Sequence, residues 1–289
     1  MVTRIEGVDY TNLAAGWPAG LVAAGKKFAC RYGGPGGAWK QVDAAEVAAL
    51  HGAGMAVVAN AEGAADGLKF GAAAGRAWAR SAGAFWKALG LPAGRPIYLS
   101  ADFDASAGDM STLASAFAAA EVELSTSFGY HAGAYAEYDV LEYLYGRGVV
   151  RWFWQTYAWS NGKIWRPDKL HIYQHHNGVS IAGGDCDLNT AYQEDYGQWE
   201  AQMSFMDDKD FKALAYRVEA IISGRDAVIG GPTAGEKVQT WDKIADVVVA
   251  KLASGGAITV EGAPLGEADK PVIVAAVKEA FREGSGPLS

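Results

Sequence analysis

Arg95-Pro96-Ile97-Tyr98-Leu99-Ser100-Ala101-Asp102-Phe103-Asp104 reads as a buried strand that ends in acid. Pro96 to Ala101 is short, mostly apolar and β-prone. Gly94 precedes it and a Ser/Ala/Gly/Asp turn follows, which is the profile of a strand covered on both faces. Residues i and i+2 of a strand share a side. On that pattern Asp102 and Asp104 face one way and Phe103 the other. Two carboxylates at a buried tip are costly unless they are hydrated, paired or used. The plainer alternative is that they cap the next turn.

Similar runs recur on both sides of this strand. Ile5 to Asp9, Lys27 to Tyr32 and Met55 to Ala59 precede it, and His131 to Tyr135, Arg151 to Gln155, Leu170 to Gln174 and Asp185 to Leu188 follow. Helical patterns separate most of them: Leu13 to Ala24, a helix capped by Asp43, an Ala-rich helix over 67–89, Met110 to Leu124 and Asp139 to Tyr145. A closing helix is expected over Asn189 to Trp199. Eight such units imply parallel strands and a (β/α)8 TIM-like barrel with irregular last units. An open doubly wound sheet is the runner-up, weakened because no Gly-rich phosphate loop follows the first strand.

The barrel is expected to span residues 1–200 of the 289. A helix and a Gly/Pro linker follow over 201–238, then a small C-terminal α/β segment over 239–289. This mainly helical region is too short to bury its own apolar faces well, so it is expected to dock on the barrel or on another chain. The net charge of −8 argues against a nucleic-acid or anionic-membrane partner. No stretch is long and apolar enough to span a membrane. A strand-like run begins at Ile5 with no apolar leader, so no export signal is expected. Cys30 and Cys186 fall on non-adjacent strands and are expected to be free thiols. No Cys/His spacing suits a metal, and no cofactor is called for.

A barrel of this kind carries its site at the C-terminal strand ends. Those tips are Asp9, Arg31, Glu62, Asp102, Asp104, Tyr135, Gln155, Gln174 and Asp187. Each has a structural alternative. Asp9 caps a helix, Arg31 is a counter-ion to Asp102 or Asp9, Glu62 is solvated, and Tyr135 is core. Gln155, Gln174 and Asp187 satisfy buried backbone. No G-x-S-x-G or H-E-x-x-H motif is present, which disfavours serine and zinc chemistry. Carboxylates with aromatic and amide neighbours suit glycoside hydrolysis, in which one acid protonates the leaving oxygen and another stabilises or attacks the oxocarbenium-like centre.

Gly7-Val-Asp-Tyr10, Phe28-Ala-Cys-Arg-Tyr32, Lys40 with Glu46, Ala53 to Val58, Ile97 to Asp104, Trp154 to Ser160, Tyr173-Gln174 and Asp187-Leu-Asn189 share an order and spacing. As a set they resemble the glycoside-hydrolase-like domain of actinobacteria and their phages, which is related to the family 25 muramidases. The likeness runs from about Arg4 to Trp199. It implies a barrel that binds or cuts bacterial cell-wall glycan, often within a phage lysin or virion protein. Such a protein is released from the host cytoplasm at lysis or is carried on the particle. By position, Asp9 matches the first-strand aspartate of the muramidases, and Asp102 and Asp104 match their D-x-E tip. Asp104 is one methylene shorter than the Glu that serves there as general acid, and a donor misplaced by about 1 Å can lose orders of magnitude in rate.

Three expectations follow. The first is a lysozyme-type hydrolase with Asp104 or Glu62 as the acid and Asp102 and Asp9 stabilising charge. Arg31, Tyr135, Trp154, Gln155, Gln174 and Asp187 would shape the sugar cleft. The second is a glycan-binding or structural virion module that assembles, as a homo-oligomer or on a virion partner, through residues 201–289. The third is cleavage of the wall peptide, disfavoured by the missing metal ligands and nucleophile.

Overall fold

A computed structural model describes residues 4–12 and 16–200. The segments expected over 201–238 and 239–289 lie outside the described residues. Eight strands close into a barrel: β1 (Ile5–Asp9), β2 (Phe28–Tyr32), β3 (Ala56–Ala61), β4 (Pro96–Ser100), β5 (His131–Ala136), β6 (Trp152–Thr156), β7 (Ile172–Ile181) and β8 (Gly184–Ala191). Pairing runs in sequence order from β1 to β8, and β8 closes on β1. Five helices lie between them: α1 (Trp17–Ala23), α2 (Ala44–Gly52), α3 (Ala72–Leu89), α4 (Met110–Phe128) and α5 (Tyr138–Gly146). The TIM-like barrel read from the sequence is therefore present. Among the described residues no helix is long and apolar enough to cross a membrane.

The last quarter departs from the expectation. The first seven strands are parallel, but β8 runs antiparallel to both β7 and β1. Only Ala182 and Gly183 separate β7 from β8, whereas a parallel crossover needs about a dozen residues. Ala182 and Gly183 both take positive φ, 48° and 84°, as the tight hairpin turns that match strand twist require. The hairpin tip rests on α1, where the Trp17 indole N–H donates to the Ile181 carbonyl at 2.6 Å. The closing helix expected over Asn189 to Trp199 is also absent. That stretch finishes β8, crosses a loop and adds a short strand, β9 (Gln198–Trp199), antiparallel to β3.

Two apolar layers hold the fold. Phe28, Cys30, Val58, Tyr98, Trp154 and Ile172 fill the barrel, while Val57, Leu99, Ala134 and Phe153 face the helices. Gly7 and Gly133 make room inside: an added Cβ would meet the Phe28 ring at 2.4 Å or the Tyr98 ring at 2.6 Å. Cys30 and Cys186 are both buried and free, as expected.

Arg31 belongs to the outer layer. It alternates with the inward Cys30, so it points toward α2 and pairs there with Glu46 at 2.5 Å. Its guanidinium also donates to the Tyr10 carbonyl and lies over the Tyr10 ring. Asp43 caps α2 by accepting from the Glu46 backbone N–H at 2.8 Å, which aims the Glu46 side chain at Arg31. Removing one partner of a buried pair strands the other charge, so Glu46→Ala is expected to cost about 3–5 kcal/mol. Urea melts will measure it, and a loss under 1 kcal/mol would contradict a structural role for the pair.

Candidate active site

Every barrel strand sends one polar side chain inward at the same end: Asp9, Tyr32, Asn60, Ser100, Tyr135, Thr156, Gln174 and Asn189. Period-two alternation makes this layer, because these residues share a side with Cys30, Val58, Tyr98 and Trp154 one step below. Asn60 and Ser100 bond each other at 3.0 Å. Of the other six, Tyr32 and Asn189 converge on the Asp9 carboxylate and Tyr135 and Thr156 on the Gln174 amide.

Asp9 is buried, at 2% exposure. Its Oδ1 accepts from the Tyr32 hydroxyl at 2.5 Å. Its Oδ2 accepts from the Asn189 amide at 2.7 Å and the Gln174 amide at 2.9 Å. Burial pushes its pKa up to about 7, with the nearby Asp187 charge adding to the rise and the three donors opposing it. Gln174 is the hub. Its carbonyl oxygen accepts from Tyr135 at 2.8 Å and Thr156 at 3.0 Å, and its amide reaches Asp187 at 3.3 Å as well as Asp9. Trp154 lies beneath, wholly buried, donating to Asn189 at 2.9 Å with its ring centroid 4.6 Å from that of Tyr135.

Three more carboxylates rim this floor. Asp187 stands opposite Asp9 in the β1–β8 register and also accepts from the Gly178 N–H at 2.8 Å. Asp102 is half-buried, with its Oδ1 3.4 Å from the Tyr135 hydroxyl. Glu62 is half-buried and ion-paired with Lys40 at 2.5 Å. Burial raises the pKa of all three. Lys40 opposes the rise at Glu62, the Tyr135 hydroxyl at Asp102, and the Gly178 N–H at Asp187. Among the described residues no group of His, Cys, Asp or Glu could hold a metal ion.

The expected site residues divide accordingly. Asp9, Glu62, Asp102, Asp187, Tyr135 and Gln174 come together, with Trp154 as their floor. Asp104 does not join them. β4 ends at Ser100, so strand alternation does not extend to Asp102 and Asp104. Asp104 is exposed and lies near Glu137, a buried acid at the end of β5 that accepts from the Ala105 N–H at 3.0 Å. Arg31 faces α2, as described. Gln155 also faces outward, where its side chain fastens the next loop at the Lys163 carbonyl (2.8 Å) and the Trp165 N–H (2.7 Å). Tyr32, Lys40, Thr156 and Asn189 are in the site although the strand-tip reading did not select them. For Tyr32 and Thr156 the signal was parity: each follows the polar residue chosen in its place.

The comparisons with known proteins agree with this architecture. No curated protein matches the sequence. The chain resembles the crystal structure of the Mycobacterium tuberculosis Tat-secreted protein Rv2525c in complex with L-tartrate, at 25% identity and TM-score 0.58, over 69% of this chain and 100% of that one. The HEPES complex of the same protein gives 26% identity and TM-score 0.57, over 67% and 98%. The modular autolysin LytC from Streptococcus pneumoniae, in complex with a synthetic peptidoglycan ligand, shares the fold at 12% identity and TM-score 0.51, over 65% of this chain and 46% of that one. The family model described as Rv2525c-like, glycoside hydrolase-like domain matches residues 19–200. That match covers more than half of the chain and takes in strands β2 to β8, and the chain belongs to the Rv2525c-like, glycoside hydrolase-like domain family.

Proposed function

We propose that this barrel is a glycoside hydrolase of the muramidase type acting on bacterial cell-wall glycan. One observation carries the reading: Asp9, Glu62, Asp102 and Asp187 share one end of the barrel, and all four have pKa values raised by burial. Burial that favours the neutral form of a carboxyl group suits it to proton transfer, and Asp9, pushed up to about 7, stands closest to neutral pH.

The neighbours divide the roles. Asp102 has no cation in hydrogen-bond contact, and the Tyr135 hydroxyl prefers Gln174. Lys40 acts on Asp102 only through space, whereas it touches Glu62 directly, so of these two acids Asp102 serves as the general acid to the leaving oxygen. Glu62, 2.5 Å from the Lys40 ammonium, is the better carboxylate. It faces the anomeric carbon, either to attack it or to activate water. Asp9 and Asp187, joined by Gln174, stabilise the developing positive charge from below. These roles keep the sequence-derived residues Glu62, Asp102 and Asp9 but exchange those of Asp102 and Glu62, because the lysine contact favours ionisation of Glu62.

The position where a muramidase carries its acid holds the exposed Asp104, which favours a second reading: a barrel that binds wall glycan without cutting it. The full-length protein given actinobacterial peptidoglycan separates the two. Hydrolysis predicts new reducing ends, released progressively and lost in an Asp102→Asn/Glu62→Gln double variant. Tight wall binding with no new reducing ends would overturn the enzyme reading in favour of the binding module.

A further inference from the structure

The large exposed aromatic side chains of the described residues are Trp39, Phe70, Tyr145, Tyr157 and Trp159. All but Tyr145 lie on loops that leave the C-terminal ends of strands. Trp39 follows β2, and Tyr157 and Trp159 follow β6. In a closed ring of eight strands, β2 and β6 are opposite one another. The carboxylate cluster lies between them. Lys40, next to Trp39, holds Glu62. On the other side the Tyr157 N–H donates to the backbone carbonyl of Gln174, whose side chain holds Asp9 and Asp187.

The β6 loop is built to present its aromatics. Ser160 is buried, and its hydroxyl donates to the Thr156 carbonyl at 2.6 Å and accepts from the Tyr138 N–H at 3.1 Å. Gln155 fastens the far side of the loop. Between these anchors Trp159 is 38% exposed and takes φ +56°. A bulky side chain in the left-handed region is a backbone outlier that glycine would relieve. Such strain concentrates at sites that use it.

Resting on the reading given under Proposed function, we infer that the glycan chain crosses the barrel mouth along the β2–β6 diameter. One hexopyranose ring stacks on Trp39 and another on Trp159, with the cleaved bond over the carboxylates between them. A pyranose presents an apolar C–H face that an aromatic ring desolvates well. Because β2 and β6 stand on opposite sides of the ring, the two stacked sugars belong to different parts of the chain, and the site favours long chains and internal bonds.

The probes are the soluble N-acetylglucosamine–N-acetylmuramic acid disaccharide and the corresponding hexasaccharide. Binding to the full chain is measured calorimetrically in the Asp102→Asn background, so that the ligand persists. Trp39→Ala and Trp159→Ala are each expected to lower the ratio of hexasaccharide to disaccharide affinity about tenfold. Trp159→Phe is expected to recover most of that ratio. Trp159→Gly is expected to weaken hexasaccharide binding as Trp159→Ala does while raising Tm, a combination that a purely structural residue would not give. An unchanged ratio, or an equal loss for both lengths, overturns the platform. If the Asp102→Asn protein binds the hexasaccharide, wild type cleaves peptidoglycan and the ratio does not move, only this inference falls. If neither length binds and wild type cleaves nothing, the hydrolase reading falls with it.

Discussion

Asp102→Asn is expected to lower turnover on peptidoglycan by about 10²–10⁴-fold, the usual contribution of a positioned acid. The substitution is isosteric and removes the only titrating proton of that side chain. Its neighbours ask little of the charge: the Tyr135 hydroxyl is 3.4 Å away and bonds Gln174 at 2.8 Å instead. Folding and glycan binding should therefore survive, and the loss should appear in kcat rather than KM. Burial raises the Asp102 pKa, so the wild-type rate should fall on the alkaline side as that proton leaves. Asp104→Asn should leave turnover near the wild-type level, because Asp104 is exposed and the acid it acts on is Glu137. Full activity in Asp102→Asn, or a severe loss in Asp104→Asn, would mean that the acid has been misassigned.

Asp9→Asn should separate stability from activity. Asp9 titrates at about 7 in the folded chain, against an ordinary value of 3.8. The folded state holds the proton more tightly, so this group's contribution to stability is complete below 3.8 and is lost as pH rises through 7. Asparagine carries no such charge. It can still accept from Gln174 and Asn189 with its oxygen and donate to the Tyr32 hydroxyl with its amide. Relative to wild type, Asp9→Asn should gain about 2–3 kcal/mol between pH 5 and pH 8. The same variant should lose most of its turnover, because the charge that steadies the oxocarbenium-like centre is gone. Denaturant melts at the two pH values test the first half, and a pH-independent stability difference would contradict it.

The strands were legible because each is a short apolar run bounded by glycine or polar turns. Asp43 marked the start of α2 through its cap. The direction of β8 was not legible from the run itself, since alternation looks the same in either sense. Connection length was the available clue: the expected runs ending at Gln174 and starting at Asp185 leave too short a stretch for a parallel crossover, and β7 and β8 extend into it until only Ala182 and Gly183 remain. Asp187 nevertheless lies in the site, because an antiparallel β8 brings its first half, rather than its tip, to the same end as Asp9. Choosing the last polar residue of each strand selected Arg31 and Gln155, which face outward. Counting parity from the buried aromatics below would have given Tyr32 and Thr156. Lys40 and Asn189 carry no local signal of a role, since each acts through a partner distant in sequence: Lys40 through Glu62, and Asn189 through Asp9.

The most direct measurement is the position of a bound glycan in a crystal of the Asp102→Asn protein with a peptidoglycan tetrasaccharide. The predicted complex places a glycosidic oxygen within hydrogen-bond reach of residue 102, about 2.6–3.2 Å. The adjoining anomeric carbon should face Glu62, with Asp9 and Asp187 beneath the ring. A tetrasaccharide bound elsewhere, or seated in the mouth with no glycosidic oxygen near residue 102, would contradict the account.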